Sequence, residues 1–213
     1  MAVSRKKLGK YEIIDRIGRG GMAEVYRGYH VSLDRYVAIK LLHPFLADDP
    51  EFKDRFENEA RNVAKLRHPN IVQVYDFEYD NTGDSYYMVM EFIEGENLED
   101  RLSREGKPLS QEEVIQYAIQ VCRVLEYLSA QQPPLIHHDI KPANIVVNKE
   151  ANTVSLVDFG TAKVRFVQAG GQLGQDQSSV YGTIGYAPPE QYGDKPKTEP
   201  RSDVYALGAT LYH

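Results

Sequence analysis

Residues 135–147 read LIHHDIKPANIVV, with charge packed between two short apolar runs. Asp139 is the only acid in this loop, His138 stands directly before it, and Lys141 and Asn144 follow. After a further apolar segment, TVSLV, come Asp158, Phe159 and Gly160. If the apolar runs are strands, Asp139, Asn144 and Asp158 project from the ends of neighbours. A hard cation such as Mg²⁺ takes oxygen ligands of this kind while keeping waters and substrate phosphates in its shell. A turn that uses Asp, Asn and Pro for its own backbone, with its charges in water, draws on the same residues. The loop by itself leaves both readings open.

Two further groups carry charge or backbone donors. Gly18, Gly20 and Gly21, in IGRGGMAEV, fall between two predicted strands. Glycine there lets a hairpin lie close over a ligand and offer N–H groups to phosphate. A tight hairpin without a ligand explains it equally well, and the pattern G-x-x-x-x-G-K-[ST] does not occur. Lys40 ends VAIK on an otherwise apolar strand, so its ammonium must find an anion or leave the buried face. Glu59 on the next helix is the candidate anion; the alternative is a surface pair worth under about 1 kcal/mol.

The elements that position these groups follow from periodicity. YEIIDRIG, AEVYRGYH and YVAIKLL are rich in β-branched and aromatic residues and are separated by glycine or polar turns, which predicts three antiparallel strands. Phe52, Phe56, Ala60, Val63 and Leu66 recur at helical spacing, predicting a helix over residues 50–66. Two more strands are expected near Ile71 to Glu78 and Tyr86 to Phe92. Ser110 with Glu113 reads as a capping box, opening a helix whose apolar stripe is Val114, Ala118, Val121, Cys122, Leu125 and Leu128. Pro133 and Pro134 stop it. Cys122 is therefore expected in the core. RSDVYALGATLYH begins a last helix, expected to be capped by Ser202. Strands first and helices afterwards make an α+β chain, a small sheet lobe joined to a larger helical lobe, with a cleft between them as the natural ligand site.

Composition limits the partners. With 213 residues, 42% hydrophobic and 26% charged, the chain can form one large domain or two small lobes. A net charge of −6 lacks the footprint of a phosphate-backbone binder, so nucleic acid is not expected as a partner. The basic start MAVSRKKLGK is not followed by an apolar core of signal-peptide length, and no run reaches a membrane span. One cysteine excludes an internal disulfide framework and fits a reducing compartment. These features favour a cytoplasmic location, a membrane anchor beyond residue 213 being left open.

Taken in order, G-x-G, V-A-I-K, a helix Glu, H-x-D-x-K-x-x-N, D-F-G and a late A-P-P-E resemble the catalytic domain of a eukaryotic-like (Hanks-type) protein kinase. GRGGMAEVY, HDIKPANI and GTIGYAPPEQYG resemble its bacterial serine/threonine branch. The resemblance runs from Tyr11 to the last residue and implies a bilobal fold. Residues 1–10 would be an N-terminal extension, 11–93 a small antiparallel β lobe with one helix that binds ATP and ends in the hinge, and 94–213 a mainly helical catalytic lobe. It implies ATP with Mg²⁺, or Mn²⁺ in its place, and protein substrates with Ser/Thr acceptors, the chain itself among them. An ATP-binding scaffold without turnover and a small-molecule phosphotransferase are the alternatives on the same fold.

The resemblance also assigns roles. Ile17 and Gly18, Gly20 and Gly21 would cover the nucleotide, with Ala23 standing where the family often has a third glycine. Lys40 would hold the α- and β-phosphates, oriented by Glu59. Val25 and Ala38 above and Val146 below would sandwich adenine. Met90 would be the gatekeeper, and Glu91 and Ile93 would offer hinge backbone groups. Asp139 would accept or orient the hydroxyl proton, Lys141 would neutralise the transferring phosphate, and Thr183 would bridge the two. Asn144 and Asp158 would hold the metal, and His137 would pack under Phe159.

His138 is a departure, since many relatives carry Arg there to pair with a phosphorylated activation loop. Imidazole lacks that bidentate fork and is mostly neutral at pH 7, which puts phospho-dependent switching in doubt. Ser178, Ser179 and Thr183 are candidate self-phosphorylation sites. In the family, Asp203 bonds the catalytic-loop backbone, and further helices follow the one containing it. The resemblance therefore implies that the large lobe is incomplete here, lacking the Arg partner of Glu190, and that the 213 residues alone make a poor enzyme.

Overall fold

The computed structural model describes residues 7–148, 150–159, 183–192 and 199–212. The chain divides into two compact units, Met1–Arg67 with Val72–Ile93, and His68–Ile71 with Glu94–His213.

The first unit is built on a six-stranded antiparallel sheet in the order β1-β2-β3-β4-β6-β5. Its strands are β1 (Lys7–Leu8), β2 (Tyr11–Arg19), β3 (Ala23–His30), β4 (Arg35–Leu42), β5 (Val74–Asp80) and β6 (Ser85–Glu91). Register decides which side chains share a face, because residues directly opposite one another on antiparallel strands point the same way. Gly18 pairs with Val25, Val25 with Lys40 and Lys40 with Met88, while Ala38 pairs with Met90. These residues share one face, since side chains alternate along a strand. The opposite face carries an apolar core of Leu8, Tyr11, Val37, Ile39, Tyr87 and Val89.

Two helices complete this unit, α1 (Pro44–Ala47) and α2 (Pro50–Ala64). Phe56, Ala60 and Val63 are buried along α2, and the Phe56 ring lies 5.6 Å from that of Phe77 on β5. The helix ends at Ala64 rather than Leu66, because the Leu66 N–H bonds the Val63 carbonyl and tightens the last turn. β5 starts later than expected. Ile71 forms a parallel bridge with Leu156, and the Asn70 carbonyl accepts the Leu156 N–H at 2.8 Å, so this apolar stretch belongs to the second unit.

In the second unit β7 (Glu96–Asn97), β8 (Ile145–Asn148) and β9 (Thr153–Leu156) form a small antiparallel sheet. Asn97 caps α3 (Leu98–Glu105) by accepting from the Asp100 N–H. Ser110 and Glu113 form the expected capping box on α4 (Gln111–Ser129). Tyr117, Val121, Val124 and Leu128 make the buried line of α4. Cys122, expected in the core, is exposed. It sits about 100° around the helix from Val121 and shares the outer side with exposed Ile115 and Ile119.

α5 (Pro200–Tyr212) opens differently from the expectation as well. Ser202 lies in its first turn rather than at the cap, and its hydroxyl accepts from the Glu199 N–H at 3.2 Å and donates to Glu190 at 3.4 Å. Proline at the first helical position needs no N–H partner, which lets the helix begin at Pro200. Among the described residues no helix is long and apolar enough to cross a membrane.

Candidate active site

In the second unit the loop 137–144 is held from α5. Both carboxylate oxygens of Asp203 accept backbone N–H groups, from His137 at 2.7 Å and His138 at 2.9 Å. His138 sits at φ 69°, a left-handed conformation that costs a non-glycine residue energy and persists only where neighbours impose it. The two bonds to Asp203 fix the peptides on either side of His137 and so help to impose it. The His137 ring packs on Phe159 at 4.5 Å between centroids, as expected. Thr210 of α5 lies against the loop as well, its hydroxyl donating to the Ala206 carbonyl at 2.9 Å with the Ile140 carbonyl 3.4 Å away.

Asp139, only 5% exposed, is the hub. Thr183 donates its hydroxyl to Oδ1 at 2.6 Å, and the Lys141 ammonium lies 3.0 Å from Oδ2. Lys141 also donates to the Thr183 hydroxyl at 3.0 Å, closing a triangle. Asn144, in the 3₁₀ turn Pro142–Asn144, donates Nδ2 to the Asp139 carbonyl at 2.7 Å and to Oδ2 at 3.0 Å. Motif reading gave Asn144 a metal role alone; its place five residues after Asp139 on the same loop is the signal for this second role. Asp139 is thus tied by three side chains before any substrate arrives.

Burial sets the titration of the neighbours. It pushes both His137 and His138 down to about 4, only partly offset by the Asp139 charge, so both imidazoles are neutral near pH 7. Burial pushes Asp203 up to about 6, opposed by the N–H groups of His137 and His138.

The donor set suits a metal ion that arrives with phosphates. Asn144 directs Nδ2 to Asp139, which leaves Oδ1 as the ligand atom of its amide, and its carbonyl accepts the Val157 N–H at 3.1 Å. Asp158 follows, exposed and at φ 56°, a conformation that Asp tolerates better than most residues. Among the described residues no cluster of three or more His, Cys, Asp or Glu forms a metal cage. Mg²⁺ characteristically uses one or two carboxylates and completes its shell with phosphates and water.

The first unit brings the other predicted residues together. Lys40 Nζ and Glu59 Oε1 are 2.7 Å apart, with side chains 12% and 6% exposed, so this is a buried pair and not the surface pair left open by the sequence. Lys40 Nζ also lies 5.9 Å from the Phe56 ring centre. Val25, Ala38 and Met90 share the Lys40 face through the strand register. The Glu91 N–H is already bonded to the Gln73 carbonyl at 2.8 Å, leaving its carbonyl as the group to offer a ligand. Ile93 follows β6 half-buried, while Ile17 is exposed at a register shift of β2. Val146 belongs to β8 of the second unit.

The glycine turn is closed by the Gly20 N–H, which donates to the Ala23 carbonyl at 2.8 Å. Its backbone does not demand glycine. A Cβ at Gly21 would meet nothing within 4 Å, and one at Gly18 only the Val25 side chain at 3.4 Å. What the absent side chains leave is bare backbone, which at Gly18 lies on the Lys40 face. Gly160 and the candidate phosphorylation sites Ser178 and Ser179 lie outside the described residues.

A family model described as "Protein kinase domain" matches residues 11–213. The chain is 38% identical over 219 residues to a probable serine/threonine-protein kinase of Streptomyces coelicolor, covering 100% of this chain and 31% of that protein. It is 40% identical over 206 residues to the serine/threonine-protein kinase PknB of Mycobacterium tuberculosis, covering 95% of this chain and 32% of that one. The chain therefore spans about a third of the length of these curated relatives. Among solved structures, the PknI kinase domain of Mycobacterium tuberculosis superposes with a TM-score of 0.72 at 28% identity, covering 100% of this chain and 77% of that one. The expected α+β kinase-like fold is that of these neighbours. The chain belongs to the protein kinase domain family.

Proposed function

We propose that this chain forms the catalytic part of a serine/threonine protein kinase that transfers the ATP γ-phosphate to Ser/Thr hydroxyls of proteins. The Asp139–Thr183–Lys141 triangle carries this reading. Phosphoryl transfer leaves little covalent work to the protein, so positioning and charge dominate. Asp139, held by Thr183 and Asn144, orients the acceptor hydroxyl and takes its proton as the oxygen attacks the γ-phosphorus and the bond to the ADP oxygen breaks. Lys141 neutralises charge on the moving phosphoryl group. Lys40, held by Glu59, grips the α- and β-phosphates beneath the turn of Gly18, Gly20 and Gly21. Val25 and Ala38 pack on adenine, with Met90 behind it, Ile17 over it and Glu91 and Ile93 at its edge. Asn144 and Asp158 hold Mg²⁺, or Mn²⁺, which when bound supplies charge neutralisation on the phosphates. The exposed, single Cys122 suits a reducing, cytoplasmic setting.

The test is γ-phosphate transfer from labelled ATP, with a generic basic protein offered beside aminoglycosides and choline. Label on Ser/Thr of protein is expected, and Asp139→Asn should lower the rate by about 10²–10⁴-fold while ATP still binds. Label on the small molecules alone would favour a small-molecule phosphotransferase. ATP binding by the full-length protein without transfer to any acceptor would make it a scaffold.

A further inference from the structure

His43 follows β4 directly, and its ring is committed to the glycine turn. Its backbone N–H donates to the Met22 carbonyl at 2.8 Å, and its Nε2 lies 3.1 Å from the Gly20 carbonyl. A carbonyl oxygen only accepts, so Nε2 carries the hydrogen in this contact. His43 also occupies the N-cap position of α1, yet its side chain makes no capping bond there. Phe45, 73% exposed, stacks on the imidazole at 5.3 Å with planes 13° apart. Phe45 stays largely outside the core, and among the described residues its ring contact is with His43, which steadies the imidazole plane.

The consequence follows from peptide geometry. The Gly20 carbonyl and the Gly21 N–H belong to one planar trans peptide and point in opposite directions. Gly21 has no side chain to restrict this peptide, and a Cβ there would meet nothing within 4 Å. Beside the Gly20 N–H bond that closes the turn, the His43 bond to the Gly20 carbonyl restrains its rotation. Drawing the Gly20 carbonyl toward His43 turns the Gly21 N–H away from it.

We propose that His43, steadied by Phe45, is a positioning residue that fixes the Gly20–Gly21 peptide so that the Gly21 N–H is presented to nucleotide phosphate. This rests on the nucleotide-binding reading above. It concerns the phosphates alone, since a turn that presents N–H groups to phosphate contributes nothing to a ligand lacking phosphate.

Dissociation constants for ATP and for adenosine, measured by calorimetry with Mg²⁺, test this in the wild-type chain, His43→Ala and His43→Gln. The preference for ATP over adenosine should shrink by about fivefold in His43→Ala, the worth of one ordinary hydrogen bond, with adenosine affinity unchanged. His43→Gln places an amide N–H at a similar reach and should restore most of the preference, and Phe45→Ala should give a smaller loss of the same kind. An unchanged preference in His43→Ala, equal weakening of both ligands, or failure of Gln to rescue would overturn the role of His43 alone. A wild-type chain that binds ATP no better than adenosine would overturn the nucleotide-phosphate reading and this inference with it.

Discussion

The Thr183 hydroxyl donates to the Asp139 carboxylate at 2.6 Å across a sequence separation of 44 residues. It also accepts from Lys141 at 3.0 Å, so one hydroxyl sets the distance between the acid and the cation. Hydrogen bonds to charged groups contribute about 1.5–3 kcal/mol each. Thr183→Ala should therefore lower kcat by roughly 10–100-fold with little change in ATP affinity, and Thr183→Ser should keep most of the activity. Equal activity of the Ala and Ser variants would remove Thr183 from the site.

Acid stability should report the balance between the two loop histidines and Asp203. Burial holds His137 and His138 near 4 in the folded chain, against about 6.5 unfolded. They therefore contribute stability above pH 6.5 that is lost as pH falls toward 4. Asp203 is raised to about 6, so it acts in the opposite sense, its contribution growing as pH falls below 6. Between pH 6 and 4 the unfolded chain holds two extra histidine protons and the folded chain one extra carboxyl proton, a net of 2 − 1 = 1. Stability should fall by roughly 1 kcal/mol per pH unit through this window from these groups. His138→Asn, which tolerates the left-handed backbone, should flatten that slope. Urea midpoints at pH 6.5, 5.5 and 4.5 measure it, and an unchanged slope in the variant would contradict the assignment.

His138 also bears on regulation. A neutral, half-buried imidazole on a strained loop offers no cation to a phosphorylated segment. Phosphatase treatment, or Ala at both Ser178 and Ser179, should change kcat by only a small factor, whereas His138→Arg should make activity depend on phosphorylation. A large loss on dephosphorylation of the unaltered protein would show that another cation serves the phosphate.

Exposure of Cys122 is directly measurable. The native chain should react with a thiol reagent at close to the rate of a free thiol, without prior unfolding. Cys122→Ser should leave stability within about 0.5 kcal/mol. Protection that disappears only on denaturation would return Cys122 to a buried position.

The buried pair of Lys40 and Glu59 makes a contrasting case. Lys40→Met removes one partner of a desolvated ion pair, which costs about 3–5 kcal/mol when the other charge stays buried. The double variant Lys40→Met with Glu59→Leu should recover much of that stability while remaining inactive. A thermal melt of the three proteins separates the two effects, and a single variant as stable as the parent would place the pair in solvent after all.

Local chemistry was legible in the residues themselves. The capping box of Ser110 and Glu113, the glycine turn, the apolar strands and the buried face of α2 are short-range, because caps, turns and periodicity act within a few residues. The candidate site residues were legible from motif order. Apart from the early end of α2, local readings failed where a distant partner intervened or a helical face was assigned one step too widely. Ile71 has strand-forming neighbours, but its backbone bridges to Leu156; Ser202 looks like a cap but lies inside α5; Cys122 borders the apolar stripe but faces outward.

By itself the sequence determined the long elements, the strands β2, β3, β4 and β6 and the helices α2 and α4, but not the short β1, α1 and β7, since propensity, patterning and turn chemistry are properties of neighbours along the chain. The resemblance anticipated that Glu59 pairs with Lys40, that Asp203 bonds the catalytic-loop backbone and that Thr183 reaches Asp139; only the tertiary structure decided that the Lys40–Glu59 pair is buried, that Asp203 takes the N–H groups of His137 and His138, and that Asn144 binds Asp139. The reason is physical. An ionised or strained group is tolerated in an interior only when partners satisfy it, and except for Asn144 those partners come from elements far away in the sequence, whose distances no local pattern encodes.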